Sequence, residues 1–122
     1  MIQEQTKLNV VDNSGGKVVK CIKVLKGSKK KTAKIGDFIK VVVKNSIFNS
    51  KIKKGQILNA IIVRSKFPLK RTDGSYLSFN DNAVLLLNNQ NQMIGTRIFG
   101  VIAKEIKTIY FKKLISLSSE LV

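Results

Sequence analysis

The chain has no histidine and no tryptophan, one cysteine, one proline, and seven acidic residues against 23 basic ones in 122. Each shortage excludes a class of function. Histidine is the commonest general base and metal ligand, so its absence removes most hydrolytic triads and most zinc sites. The carboxylates are scattered, with no pair spaced to share a site, and neither a phosphate-cradling glycine loop nor a nucleotide fingerprint occurs. No catalytic residue, cofactor or metal site is therefore expected. Cys21 alone can form neither an internal disulfide nor a cysteine-rich zinc centre. Among its β-branched neighbours it reads as a small core residue, without a base to make it a nucleophile. No apolar run reaches the ~18 residues of a spanning helix, and no long basic amphipathic helix is visible, so no membrane partner is expected. Met1 to Thr6 is polar, with neither an apolar h-region nor an Arg-rich presequence, which predicts a protein that works where it is made.

What is present is apolar content and positive charge. With 43% hydrophobic residues the chain can fill one modest core, which predicts a single domain over 1–122 and excludes a disordered basic tail. The net charge of +16 calls for a polyanionic partner, and nucleic acid is the commonest one. The abundance of Lys, Asn and Ile points to an AT-rich genome, of an organelle or of a low-GC bacterium.

Taken in order, Lys7 to Asp12 reads as a strand with Leu8 and Val10 on one face, closed by the turn Asp12-Asn13-Ser14-Gly15-Gly16. Lys17 to Leu25 is a second strand. Lys26, Lys29, Lys30, Lys31 and Lys34 then crowd a polar stretch with no acidic residue between them. Their mutual repulsion makes a polyanion-facing loop or hairpin tip a better reading than a solvated surface. Phe38 to Lys44 alternates as a half-buried strand with a basic outer face. Lys51, Lys53 and Lys54 lie in the connection that also holds Phe48, and Ile57 to Lys66 is the longest strand candidate, ended by Pro68. Phe67 beside Lys70 and Arg71 has the composition of a base-stacking loop, and equally of a hydrophobic plug beneath one. Ser75 to Phe79 and Asn82 to Leu87 flank Asn80-Asp81, which reads as a two-residue hairpin.

Ala83 to Leu87 carries no polar side chain, so it reads as a strand covered on both faces. Beyond a polar turn, Gly95 and Gly100 bracket Thr96, Arg97, Ile98 and Phe99, a segment able to hold Thr96 and Arg97 at a fixed surface position. Lysine outnumbers arginine twenty to three, which hints that Arg97 is kept for its planar fork. After Gly100, spacings of three and four predict short helices over Val101 to Lys107 and Thr108 to Leu117. Strands followed by short helices predict a mainly β fold: a small closed or nearly closed antiparallel barrel over about 1–100, and a helical appendage over about 101–122.

The chain resembles, from end to end, the bacterial and organellar form of protein fourteen of the large ribosomal subunit. The resemblance lies in Ile2-Gln3, Leu8-Asn9-Val10, Asp12-Asn13-Ser14-Gly15, Cys21-Ile22-Lys23-Val24-Leu25, Ile35-Gly36-Asp37 and Lys53-Lys54-Gly55. It continues in Ala60-Ile61-Ile62-Val63-Arg64, Asp73-Gly74, Phe79, Asn82-Ala83, the Gly95 to Gly100 segment, and Phe111 with Ile115-Ser116-Leu117. Leu85 stands where the family pattern has valine, Val101 where proline or alanine is usual, and Ser118-Ser119 where Ala-Pro is usual.

The resemblance implies a five-stranded closed barrel with a projecting β-ribbon and two short C-terminal helices. It implies a ribosomal component bound to large-subunit rRNA and to neighbouring large-subunit proteins. It also implies bridges to small-subunit rRNA, and a face shared with a ribosome-silencing factor. Carried over by motif, Thr96, Arg97 and Lys113 belong to that intersubunit face. The rRNA contacts are expected from Lys23, Lys26, Lys29, Lys30, Lys31, Lys34, Lys51, Lys53, Lys54, Arg64, Lys66, Lys70 and Arg71. The mitochondrial matrix is the expected compartment, with the cytoplasm of a low-GC bacterium or a plastid as the alternative. Two other classes stand beside this reading. A stand-alone single-strand-binding barrel would place aromatics on strand faces, whereas Phe48 and Phe67 lie in connections. An RNA-modifying enzyme lacks its acid, base and cofactor site.

Overall fold

Strand pairing across the chain brings five segments into a closed barrel. The structure, a computed structural model, describes residues 2–13, 15–25, 32–47, 52–88, 90, 94, 98–102 and 118–121. In chain order the strands are β1 (Ile2–Gln3), β2 (Lys7–Val10), β3 (Gly16–Val24), β4 (Thr32–Ala33), β5 (Phe38–Ser46), β6 (Ile57–Arg64), β7 (Leu69–Lys70), β8 (Tyr76–Leu77), β9 (Ala83–Leu87), β10 (Ile98–Ile102) and β11 (Ser118–Leu121). The barrel runs β2-β3-β5-β6-β9, and β1-β4, β7-β8 and β10-β11 form two-stranded sheets beside it.

The alternation legible in the sequence fills the interior. Leu8 opposes Val19, Val19 opposes Val43, Cys21 opposes Val41, and Val41 opposes Leu58. Ala60 opposes Leu86, and Ile62 opposes Val84. All of these are buried, and each large aliphatic taken out of water contributes ~1.5–3 kcal/mol. β9 is buried on both faces, as its composition predicts. Outside the barrel, Ile61 pairs with Leu85 and Asn59 with Leu87, so the β6-β9 side carries a second apolar layer. The outward faces of β2, β3 and β5 carry lysines and asparagines together with the half-buried Val18, Ile22, Phe38 and Val42.

Three expectations are corrected. The barrel is mixed, not antiparallel, because β2 closes on β9 in parallel, Asn9 opposite Ala83 and Val10 opposite Val84. β8 pairs with β7 across the turn at Thr72-Asp73-Gly74, so Asn80-Asp81 joins no hairpin. β9 uses one edge for β6 and the other for β2, which leaves none for a hairpin partner. Val101 and Ile102 belong to β10, which pairs in parallel with β11, so the helical reading fails at its first two residues. Two weakly spaced apolar pairs were too little periodicity to outweigh β-branched residues that fit a strand. The remainder of both expected helices, 103–117, lies outside the described residues.

Gly16 opens β3 where the interior is tightest. A Cβ there would lie 3.0 Å from Leu86 Cδ1, 3.5 Å from Val10 Cγ2 and 3.8 Å from Ile52 Cγ2. Leu86 is fully buried, so its side chain would have to give by a few tenths of an ångström within a close-packed interior. Overpacking of this kind costs ~1–3 kcal/mol, and the entropy that alanine removes from the unfolded chain returns less than ~1 kcal/mol. Gly16→Ala is therefore expected to lower stability by ~1–2 kcal/mol, read as a lower urea midpoint at unchanged slope.

Candidate nucleic-acid interface

The lysines of β2, β3 and β5 alternate with core residues, so closing the barrel turns them all to one outer face. Lys7 on β2 lies directly opposite Lys20 on β3, and Lys23 on β3 directly opposite Lys40 on β5. Directly opposed residues hold their Cβ atoms ~5 Å apart, and like charges at that spacing destabilise the sheet. Lys23 reaches this face only because of a bulge. Cys21 opposes Val41, yet Lys23, two residues on, opposes Lys40. Ile22 and Lys23 thus share one partner, Val24 returns to the core, and Lys23 faces solvent. Without the bulge, period-two alternation would put Lys23 on the same inner face as Cys21.

Register extends the pairs into a stripe. Lys17 and Lys44 are exposed toward the far end of the β3-β5 ladder, and the turn beyond it presents Lys53 and Lys54. That turn is pinned to β5 by Gly55 N–H to Val43 O, 2.8 Å, and Val43 N–H to Gln56 O, 3.0 Å. It is also closed within itself by Lys53 N–H to Gln56 Oε1, 3.2 Å. At the opposite end, Lys34 N–H donates to Asp37 Oδ2 at 3.0 Å, and Gly36 N–H and Asp37 O anchor that turn on Ile62 at 2.9 and 3.1 Å. The nine residues of β5 give the stripe a length of ~30 Å.

Acidic side chains are used elsewhere. Asp12 and Asp37 are buried and accept main-chain N–H groups. Asp73 accepts both the N–H and the hydroxyl of Ser75 at 3.0 and 2.7 Å, which holds its carboxyl below the usual range. Asp81 pairs with Arg64 at 3.4 Å and accepts Asn9 Nδ2–H at 3.3 Å. Burial raises the thiol pKa of Cys21, and the charge of the exposed Glu4 adds a little to it. Cys21 is buried and free, as a core residue should be. Among the described residues no group of His, Cys, Asp or Glu is placed to hold a metal ion, and no helix is long and apolar enough to cross a membrane.

Of the residues singled out from the sequence, Lys23, Lys34, Lys53 and Lys54 fall on the stripe. Lys66, Lys70 and Arg71 lie on or beside the β7-β8 hairpin, past the β5-β6 ladder at the Lys34 end. Arg64 sits at the base of that hairpin, its side chain 19% exposed and engaged with Asp81. Lys26, Lys29, Lys30, Lys31, Lys51, Phe48, Thr96, Arg97 and Lys113 lie outside the described residues. The stripe adds Lys7, Lys17 and Lys20, together with Lys40 and Lys44 from the basic outer face expected of Phe38 to Lys44, none of which was among the expected rRNA contacts. Their signal was the alternation with Leu8, Val19 and Val41, and it becomes a site only when three strands lie side by side.

The family model described as Ribosomal protein L14p/L23e matches residues 1–122. A curated relative, the large ribosomal subunit protein uL14 of Carsonella ruddii (strain PV), is 62% identical over 122 residues, with 100% of each chain covered.

Proposed function

The chain belongs to the ribosomal protein L14p/L23e family, and from that premise we propose that it binds large-subunit rRNA through the lysine stripe of β2, β3 and β5. As a member it is a structural constituent of the large ribosomal subunit, not an enzyme, with rRNA and other ribosomal proteins as partners. The observation that carries the proposal is the pair of direct lysine oppositions, Lys7 with Lys20 and Lys23 with Lys40. A fold that spends stability on such contacts recovers it when phosphates sit over them. Lys34, Lys53 and Lys54 extend the same surface, and Lys26, Lys29, Lys30, Lys31 and Lys51 are proposed as further rRNA contacts from the sequence alone. Sucrose-gradient sedimentation tests the reading: tagged protein should travel with the large subunit, and a stripe variant should stay near the top. A stripe variant that entered subunits normally would remove these lysines from the rRNA interface.

We further propose that Thr96, Arg97 and Lys113 form a face toward the small subunit that also admits a ribosome-silencing factor. Support comes from the family motif and from the glycines that bracket Arg97. Arg97→Ala is expected to weaken subunit joining or factor binding by ~1–3 kcal/mol, with Arg97→Lys recovering part of it. Unchanged joining kinetics and unchanged factor binding would take Arg97 out of the site. The relative at 62% identity is bacterial, which supports a bacterial cytoplasm as the compartment over the mitochondrial matrix.

A further inference from the structure

The β7-β8 hairpin leaves two aromatic side chains in water on a firmly held arm. Phe67 is 49% exposed and Tyr76 66% exposed, whereas Leu77 and Phe79 pack against the core. Alternation along β8 therefore turns Tyr76 outward. Its partner across the hairpin is Lys70, also exposed, so an aromatic ring and an ammonium group stand on one face. Lys66 and Arg71 add positive charge nearby, and the acid at the tip, Asp73, is held by Ser75.

The base of the arm is tied down at several points. Lys66 N–H donates to Asn82 Oδ1 at 2.8 Å, Phe67 N–H to Ser65 Oγ at 3.2 Å, and Phe79 N–H to Ser65 O at 3.1 Å. The tip is equally defined, by Gly74 N–H to Arg71 O at 3.1 Å and Arg71 N–H to Ser75 O at 2.9 Å. Gly74 takes the positive φ of 89° that this turn-and-bulge loop requires.

We propose that this arm is a stacking platform for unpaired RNA nucleotides: Tyr76 and Phe67 offer ring faces to bases, and Lys66 and Lys70 contact the flanking phosphates. The inference rests on the rRNA-binding reading and gives the arm a substrate different from that of the stripe. Lysines on a sheet meet phosphates of any RNA, but an aromatic face is useful only to a base that has left its own stack. Ring and charge side by side at the Lys70-Tyr76 register match a nucleotide, which has a flat apolar face next to an anion. A protein partner would have to bring separate acidic groups to this basic rim, whereas a nucleotide carries ring and anion together.

The test uses the full chain with two probes, a 12-nucleotide single-stranded RNA carrying 2-aminopurine and a 12-base-pair RNA duplex. Tyr76→Leu and Phe67→Leu should each weaken single-strand binding by ~10-fold or more and reduce the quenching of 2-aminopurine, with duplex affinity unchanged. Tyr76→Phe, which keeps the ring, should stay within about twofold of the parent. Equal loss on both probes, or no loss on the single strand, would overturn the platform while leaving the rRNA reading intact. So would normal RNA affinity combined with poor entry of Tyr76→Leu into large subunits, which would assign the rings to a protein neighbour. Failure of the parent chain to bind either RNA would overturn both readings.

Discussion

Replacing Lys7, Lys20, Lys23 and Lys40 together by glutamine is expected to flatten the salt dependence of RNA binding and to weaken binding at low salt by ~100-fold or more. Each phosphate contact contributes roughly 0.7–0.9 to the slope of log affinity against log salt, so four lost contacts should lower its magnitude by roughly three to four. The same substitutions should act oppositely on the isolated fold. They remove two directly opposed like-charge pairs, so the thermal midpoint at low salt should rise, by the equivalent of ~0.2–1 kcal/mol per pair. Added KCl should likewise raise the midpoint of the parent chain by screening, while lowering its affinity for RNA. Stability and affinity moving in opposite directions is the signature of a face shaped for a polyanion. Glutamines that left the slope unchanged would make the stripe a solvated surface. A falling midpoint would mean that the lysine stems contribute packing that outweighs their repulsion.

Asp12→Ala is expected to cost ~2–4 kcal/mol of stability and to loosen the barrel at its parallel seam. β2 and β9 exchange main-chain bonds through Asn9 N–H to Asn82 O, 3.0 Å, and Val11 N–H to Val84 O, 3.1 Å. At the next rung, Leu86 N–H donates to Asp12 Oδ2 at 3.3 Å, so a side-chain oxygen stands where a strand carbonyl would continue the ladder. The site is buried, and removing the carboxylate both deletes a charge-assisted bond and leaves an amide without its acceptor. Asp12→Asn keeps an oxygen in place and should recover roughly half of the loss. Urea denaturation gives the magnitude, and amide exchange at Leu86 gives the location: faster exchange there than at Val41 would mark the seam. An Asp12→Ala protein of parental stability would mean that the seam is held by its main-chain bonds and packing without the Asp12 carboxylate.

Much of the molecule follows from its sequence. The alternation of Ile39, Val41 and Val43 with Lys40 and Lys44, and the unbroken apolar run Ala83 to Leu87, determine a half-buried and a fully buried strand, because side chains on a strand can only alternate between faces. The +16 charge on a chain with enough apolar content for a core directs it to a polyanionic partner. The motifs distributed from Ile2 to Leu117 were specific enough to identify the family.

Other features depend on contacts that no local pattern contains. The edge at which β9 meets β2 in parallel, and the pairing of β8 with β7 in place of β9, depend on which edges remain unpaired after the other strands have met. Lys23 is outward only because the register slips between Cys21 and Lys23, and a one-residue slip reverses the facing of everything after it. Lys7, Lys20 and Lys40 are ordinary alternating residues until three strands separated in sequence stand about 5 Å apart. Period-two alternation is a local property of the chain and can be read along it, whereas register and strand order are set by hydrogen bonds between distant segments and exist only in the folded barrel.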